Sequence, residues 1–255
     1  MEPGRALIQA ATRSYFGSYR TLVQHVAGAE ARHLGRVFAF TTGVPVSIFN
    51  CVLVDEAPDP DDVDAAIGWL ADADVPYLFS VPERLLADLA PIAERHALRQ
   101  AAWLVPHMAL APPDTIPDPA PGVAVRSVTD GESARAFRDA LVATGMPPSM
   151  AERLIPDSLL RDDDVRGFVA ELDGRPVGTS LAIRTGDVAG VYAVGTAPSA
   201  RRRGVGTAAT WAAVEACRRW SSPVAVLQSS EMGFGLYEAM GFRTVTRSAE
   251  FRPSG

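Results

Sequence analysis

The sequence predicts an α/β (α+β) protein in two parts, and three observations carry that prediction. Short apolar runs of strand type alternate with stretches of helical spacing along the whole chain. A proline-dense segment, residues 111–122 (APPDTIPDPAPG), has prolines at 112, 113, 117, 119 and 121 and can continue neither a helix nor a central strand. A length of 255 residues fits two compact bodies of about 100 to 150 residues, each able to bury a core. The expected organisation is a first α/β body over 1–111, a semi-rigid linker over 112–122 and a second body over 123–255.

In the first body a helix is expected over about 6–26, an apolar strand over 37–41 and, after a Gly-Val-Pro turn, a strand over 46–54. An acidic stretch follows, with Asp55, Glu56, Asp59, Asp61, Asp62 and Asp64 around Pro58 and Pro60. It leads into a helix to about residue 71, in which Val63, Ile67 and Leu70 recur at three to four residues. A strand over 76–81, a helix over 82–96 and a strand over 99–110 complete the alternation. The second body opens with a strand over 123–128, a helix to about 142 capped by Asp130 or Ser133, and a helix over 149–160 after Pro147 and Pro148. Strands over 167–172 and 176–184 flank Asp173-Gly174, a hairpin signal because both central residues of the tight turn need positive φ. A strand over 190–196, an Arg- and Gly-rich loop over 198–206 and a helix over 205–220 come next. That helix presents Ala208, Ala209, Ala212, Ala213, Ala216 and Cys217, a small-residue face that can lie close to a sheet. A strand over 224–227, a short helix over 233–240 and a strand over 243–251 close the pattern.

All 24 basic residues are arginine. The absence of lysine excludes a Schiff base, a lysine general base and the lysine of a phosphate-binding P-loop. A net charge of −6 argues against nucleic acid as a partner, and no apolar run approaches the roughly 18 residues of a membrane helix. Residues 1–9 carry Glu2 and Arg5 without the apolar stretch of a signal peptide, so the cytosol is the expected compartment. Charge is uneven: eight arginines meet thirteen acidic residues before the linker, and sixteen meet fifteen after it. Cys51 and Cys217 stand alone, outside any CxxC pair, and are expected to be small buried apolar residues. The histidines at 25, 33, 96 and 107 have no ligand spacing, and no metal is expected.

The chemistry concentrates in AVGTAPSARRRGVGTAAT, residues 193–210. A strand ends at Thr196, Pro198 breaks it, and Arg201 to Gly206 leads straight into a helix. Free amides at a helix start, glycines that let a ligand reach the main chain and three arginines make a site for a diphosphate. Gly204 to Ala209 also matches a dinucleotide fingerprint, but seven residues separate Thr196 from Gly204, and the next strand ends at Gln228 where an acid should hold the ribose. Hydride transfer is thereby disfavoured. The segment resembles the GNAT superfamily of acyl-CoA-dependent N-acetyltransferases instead. Its pyrophosphate signature stands here as Arg201-Arg202-Arg203-Gly204-Val205-Gly206, and SSEMGFGLYEAMGF at 229–242 is similar to the family's closing motif.

The resemblance implies a mixed central sheet flanked by helices over about 123–251, and acetyl-CoA as co-substrate. It implies that the backbone of Val194, Gly195 and Thr196 pairs with the pantetheine arm and the acetyl carbonyl. The amides of Arg202, Arg203, Gly204, Val205, Gly206 and Thr207 would hold the pyrophosphate behind Arg201. Tyr237 would be the general acid that protonates the departing thiolate. Where the family often has Asn, this sequence has Ser230, whose reach is shorter. Because a neutral amine can attack a thioester directly, no cysteine nucleophile is needed. Glu171, Asp187, Tyr192, Glu231 and a water chain all stay open as the general base.

The first half has a similar alternation and resembles a degenerate second copy of the same fold, without the glycine-arginine signature. The acidic run 55–64 stands where that loop should lie and would repel a diphosphate, so one CoA site per chain is expected, with the first half walling the acceptor pocket or supporting the second. Asn50 is a candidate pocket contact. The expected function is transfer of an acetyl group to a primary amine of a small molecule or peptide. The alternative is a catalytically inactive acyl-CoA-binding sensor or scaffold.

Overall fold

The computed structural model describes residues 4–253; the leader expectation rests partly on residues 1–3, which lie outside them. The order of elements is α1 (Arg5–His25), β1 (Glu30–Leu34), β2 (Val37–Thr41), β3 (Asn50–Val54), α2 (Pro60–Ala71), β4 (Leu78–Pro82), α3 (Leu86–Arg95), β5 (Leu98–Gln100) and β6 (Val105–Leu110). After the linker come β7 (Val123–Ser127), α4 (Gly131–Ala143), α5 (Pro148–Leu154), α6 (Asp157–Leu160), β8 (Val165–Leu172), β9 (Arg175–Thr185), β10 (Val188–Thr196), α7 (Val205–Arg219), β11 (Ala225–Gln228), α8 (Glu231–Ala239) and β12 (Arg243–Pro253).

All twelve strands join one mixed sheet in the order β1-β2-β3-β4-β12-β6-β11-β10-β9-β8-β7, with β5 also against β12. Two pairs are parallel, β3 with β4 and β10 with β11. The halves exchange their last strands. β6, which precedes the linker, lies between β11 and β12, while β12 runs from β6 into the first half and pairs with β4 and β5. Along β12, Ala249 and Phe251 enter the first half's core, and Phe251 lies 6.1 Å from Phe79 between ring centroids.

Side-chain alternation sets the two faces. On β9, Leu181 and Ile183 pack with α4 and α5, whereas Ala182 faces the alanines of α7. On β2, Phe38 and Phe40 cluster with Phe16 of α1, whereas Val37 and Ala39 lie against α2. α1, although first in the chain, lies across the middle of the sheet and packs on β9, β10 and β11 of the second half as well as on β2, β6 and β12.

Several local expectations hold. Asp173 and Gly174 both have positive φ, 51° and 77°, as the two-residue hairpin requires. Asp130 is the N-cap of α4, accepting from the Ser133 amide at 2.8 Å, while Ser133 Oγ accepts from the Asp130 amide at 3.0 Å. Others are corrected. The strand expected from 46 begins only at Asn50, because 47–49 form a 3-10 turn. Pro156 divides the helix expected over 149–160 into α5 and α6, since a proline disfavours helical backbone at the residue before it. The strand expected over 99–110 is broken between β5 and β6, and 83–85 form a 3-10 turn before α3. β1 went unforeseen because Glu30, Ala31, Arg32 and His33 are all exposed, so the segment shows no apolar alternation.

Candidate active site

The site begins where the parallel pair β10 and β11 separates. Their pairing is confined to Ala189 with Ala225 and Gly190 with Val226, although β10 runs on to Thr196 and β11 to Gln228. Past that point β10 also bulges, its register with β9 shifting between Tyr192 and Gly195 and Ala193 taking φ 48°. The Ala193 carbonyl accepts from Thr179 Oγ1 at 2.8 Å, which fixes the bulge. Val191 to Thr196 therefore present a backbone edge that β11 does not pair. Cavities lie on both sides of this split and share Val194.

The first cavity, about 310 Å³, is floored by the turn from β10 into α7. A 3-10 turn at Pro198–Ala200 redirects the chain, Arg202 takes φ 58°, and Gly204, the N-cap of α7, takes φ 83°. No side chain caps this helix. Its first i to i+4 bond runs from the Ala208 amide to the Gly204 carbonyl at 2.9 Å, leaving the amides of Val205, Gly206 and Thr207 without helical partners. Alternating backbone hands upstream of an uncapped helix start make a concave nest of donors suited to an anion. A Cβ on Gly206 would lie 3.2 Å from Thr196 Oγ1, so the nest packs tightly on the end of β10. The helix sits low because Gly178 leaves room for Val205, and Ser180 Oγ donates to the Ala209 carbonyl at 2.6 Å.

Of the expected residues, Val194, Thr196, Arg201, Arg202, Gly204, Val205, Gly206, Thr207, Ser230 and Tyr237 all line this cavity. Gly195 lines the cavity on the other side, and Arg203 turns away to pair with Asp173 at 3.3 Å. Ser230 is the N-cap of α8, its Oγ accepting from the Gly233 amide at 3.2 Å. Tyr237 is buried and set edge-on against Phe242, and its ring is seated because position 233 is glycine, where a Cβ would lie 3.0 Å from Cε2. Burial pushes its phenol up to about 12, so at neutral pH it holds a proton and can act as an acid.

The second cavity, about 360 Å³, lies on the α1 face. Both halves wall it: Tyr15, Ser18, Tyr19 and Leu22 of α1 and Ile48 and Phe49 of the 3-10 turn from the first, with α4, α5, α6, β9, β10 and Gln228 from the second. Sequence reasoning missed these first-half residues, for which the one signal was an aromatic pair four apart at Tyr15 and Tyr19. Asn50 is not a pocket contact. It is fully buried, its amide donating to the carbonyls of Val44, Val46 and Pro76 and its oxygen accepting from Thr41, Thr42 and Gly43, so it shapes the loop that presents Ile48 and Phe49.

The general-base candidates separate clearly. Glu171 is bound to Arg126 at 2.7 Å, Asp187 pairs with Arg13 on an exposed turn, and Glu231 lies exposed in the first turn of α8. Tyr192 alone lines the second cavity, with its hydroxyl 2.7 Å from Ser14 Oγ and its phenol pushed up to about 12 by burial. Cys217 is packed among the α7 alanines with its thiol raised to about 12 by burial, which suits packing rather than nucleophilic attack. Among the described residues no cluster of His, Cys, Asp and Glu could hold a metal.

In the first half the helix that follows β3 is closed to an anion. At the start of α2, Asp59 accepts from the Asp61 amide at 3.0 Å, so a carboxylate already occupies the helix start. The space beside β3 and β4, between Leu53, Ser80 and Tyr15, amounts to about 10 Å³.

Residues 134–242 match the model of the acetyltransferase (GNAT) family. These residues are a GNAT domain. The match begins inside α4 and ends at Phe242, taking in the split strands, the nest and α8. No curated protein matches the chain. Among solved structures it is similar to a GCN5-related N-acetyltransferase from Kribbella flavida (20% identity, 96% of each chain covered, TM-score 0.70). It is also similar to one from Sphaerobacter thermophilus (18%, 88% of this chain and 75% of that one, 0.61). A third is a tandem GNAT protein from the clavulanic acid biosynthesis pathway (16%, 95% and 89%, 0.62). At these identities the likeness is one of fold, and it extends over both halves. GNAT membership supports acyl transfer in general. Among the described residues no helix is long and apolar enough to cross a membrane.

Proposed function

We propose that the protein is an acetyl-CoA-dependent N-acetyltransferase acting on a primary amine of a small molecule or peptide, by direct attack in a ternary complex. The observation that supports this best is the split between β10 and β11, which joins the nest-floored cavity to a separate cavity across the sheet. In this reading the amides of Gly204 to Thr207, with Arg201 and Arg202, hold the pyrophosphate, and Ser230 borders the same cleft. The open edge at Val194 to Thr196 pairs with the pantetheine arm and steadies the carbonyl oxygen as it gains charge. The second cavity holds the amine against the thioester, contributing orientation and exclusion of water. Tyr237 donates its proton to the departing sulfur. The buried, unpaired cysteines accord with the cytosol as compartment.

Thiol release from acetyl-CoA in the presence of a panel of amines tests the reading. CoA binding without turnover on any amine would favour an acyl-CoA sensor. Tyr237→Phe should lower turnover by roughly 10²-fold or more while CoA affinity stays nearly unchanged; an unaltered rate would remove Tyr237 from this role.

A further inference from the structure

Resting on that reading, we infer that the acceptor is an apolar, weakly basic amine, of the aromatic-amine class, rather than a polyamine or a lysine-bearing peptide. The second cavity carries this. Its wall is built from aliphatic and aromatic side chains such as Leu22, Phe49, Leu154, Ile155 and Ile183, and among the described residues no Asp, Glu, Arg or His lines it. Three of its hydroxyls are turned to the protein: Tyr192 to Ser14 at 2.7 Å, Ser18 to the Tyr15 carbonyl at 2.8 Å and Thr144 to the Leu141 carbonyl at 2.7 Å. Tyr15 and Tyr19 rest edge-on against each other, 5.3 Å between centroids. The one side-chain amide in the lining is that of Gln228, at the split, whose nitrogen reaches His107 Nδ1 at 3.5 Å.

Such a wall selects by protonation state. An ordinary alkylamine, with a pKa near that of lysine, is outnumbered roughly a thousandfold by its ammonium form at neutral pH. The ammonium would enter an apolar space that offers no counter-charge. There is no carboxylate or imidazole in the lining to strip it, and burial keeps the phenols protonated. An amine whose lone pair is shared with an aromatic ring arrives unprotonated and needs no base. Size agrees: a cavity of roughly 150 Å³ accepts benzene, so about 360 Å³ has room for a substituted ring. The entrance agrees as well. Ile48, 39% exposed, is one of the two large apolar side chains left exposed among the described residues, and it borders this cavity. In the transfer a C–N bond forms and the C–S bond breaks. The nitrogen loses one proton and the sulfur gains one, so the exchange is balanced without a further reactant.

The test is thiol release with acetyl-CoA and four acceptors: an aniline, a phenylalkylamine, spermidine and a lysine peptide. The aniline should exceed spermidine and the peptide by about 10²-fold or more in kcat/KM. Ile48→Asp should raise KM for the aniline roughly tenfold and leave that for acetyl-CoA unchanged. Preference for spermidine or the peptide overturns the inference, as does competition between the aniline and the chain of octanoyl-CoA, which would make the cavity an acyl-chain site. If nothing is turned over, titration of the CoA-loaded protein with the aniline and with spermidine still decides. Aniline binding alone upholds the cavity's selectivity and sets aside only the transferase reading; spermidine binding alone, or no binding, overturns it.

Discussion

His107 makes acid stability a direct reading of the sheet's centre. It lies on β6, the first-half strand enclosed by β11 and β12, is 3% exposed, and shares a 2.9 Å hydrogen bond between Nε2 and Ser248 Oγ. Burial pulls its pKa down from 6.5 to about 4. The unfolded chain takes up a proton near 6.5 and the folded chain only near 4, so below pH 6.5 the unfolded state binds more protons and stability falls with pH. The contribution is fully present above 6.5 and lost as pH drops towards 4. With these values the loss at pH 5.0 is about 2 kcal/mol. Urea denaturation at pH 7.5 and 5.0 measures it, comparing the native protein with His107→Gln, which keeps a polar side chain and cannot titrate. The native protein should lose about 2 kcal/mol more than the variant over that interval. Equal losses would refute the reasoning, because carboxylates elsewhere titrate in both.

Three further outcomes are expected. Gly204→Ala places a Cβ 2.7 Å from Ala120 Cβ at a φ of 83°, and distortion of the nest should weaken CoA binding by tenfold or more in calorimetric titration, taking about 1.5 kcal/mol per charge-assisted hydrogen bond lost. The same titration on the native protein should give one site per chain, since Asp59 occupies the start of α2, the helix after β3; two equivalent sites would contradict this. Phe251→Ala should cost about 3 to 5 kcal/mol and still give one cooperative transition by two spectroscopic probes, because its ring fills the first half's core from the second half's last strand.

What was legible in the sequence were features with a local cause. Asp173-Gly174 announces a turn because few residue pairs accept two positive φ angles, and Arg201 to Thr207 announces an anion nest because strand, break and helix follow within a dozen residues. The strand exchange was not legible, since nothing in the alternation of 105–110 says which strands will flank it. A first half that walls a pocket of the second is among the expectations, but the residues that do so were not legible, with Tyr15 and Tyr19 reading as ordinary amphipathic spacing. Asn50 stands out as a polar residue in an apolar run, but its six hydrogen-bond partners depend on a loop whose shape the pattern does not encode.

The exchanged strands also govern how the protein comes into being. β6 is complete at Leu110, but its neighbour β11 begins only at Ala225, and β4 waits for Phe251. At roughly 5 to 20 residues per second, the nascent first half spends on the order of ten seconds with both edges of β6 and one edge of β4 unpaired and facing the cellular milieu. Neither half can be closed until β12 has been made. Emergence of β12, rather than of the first 110 residues, starts final assembly, and until then those open edges are the segments a chaperone would have to shield.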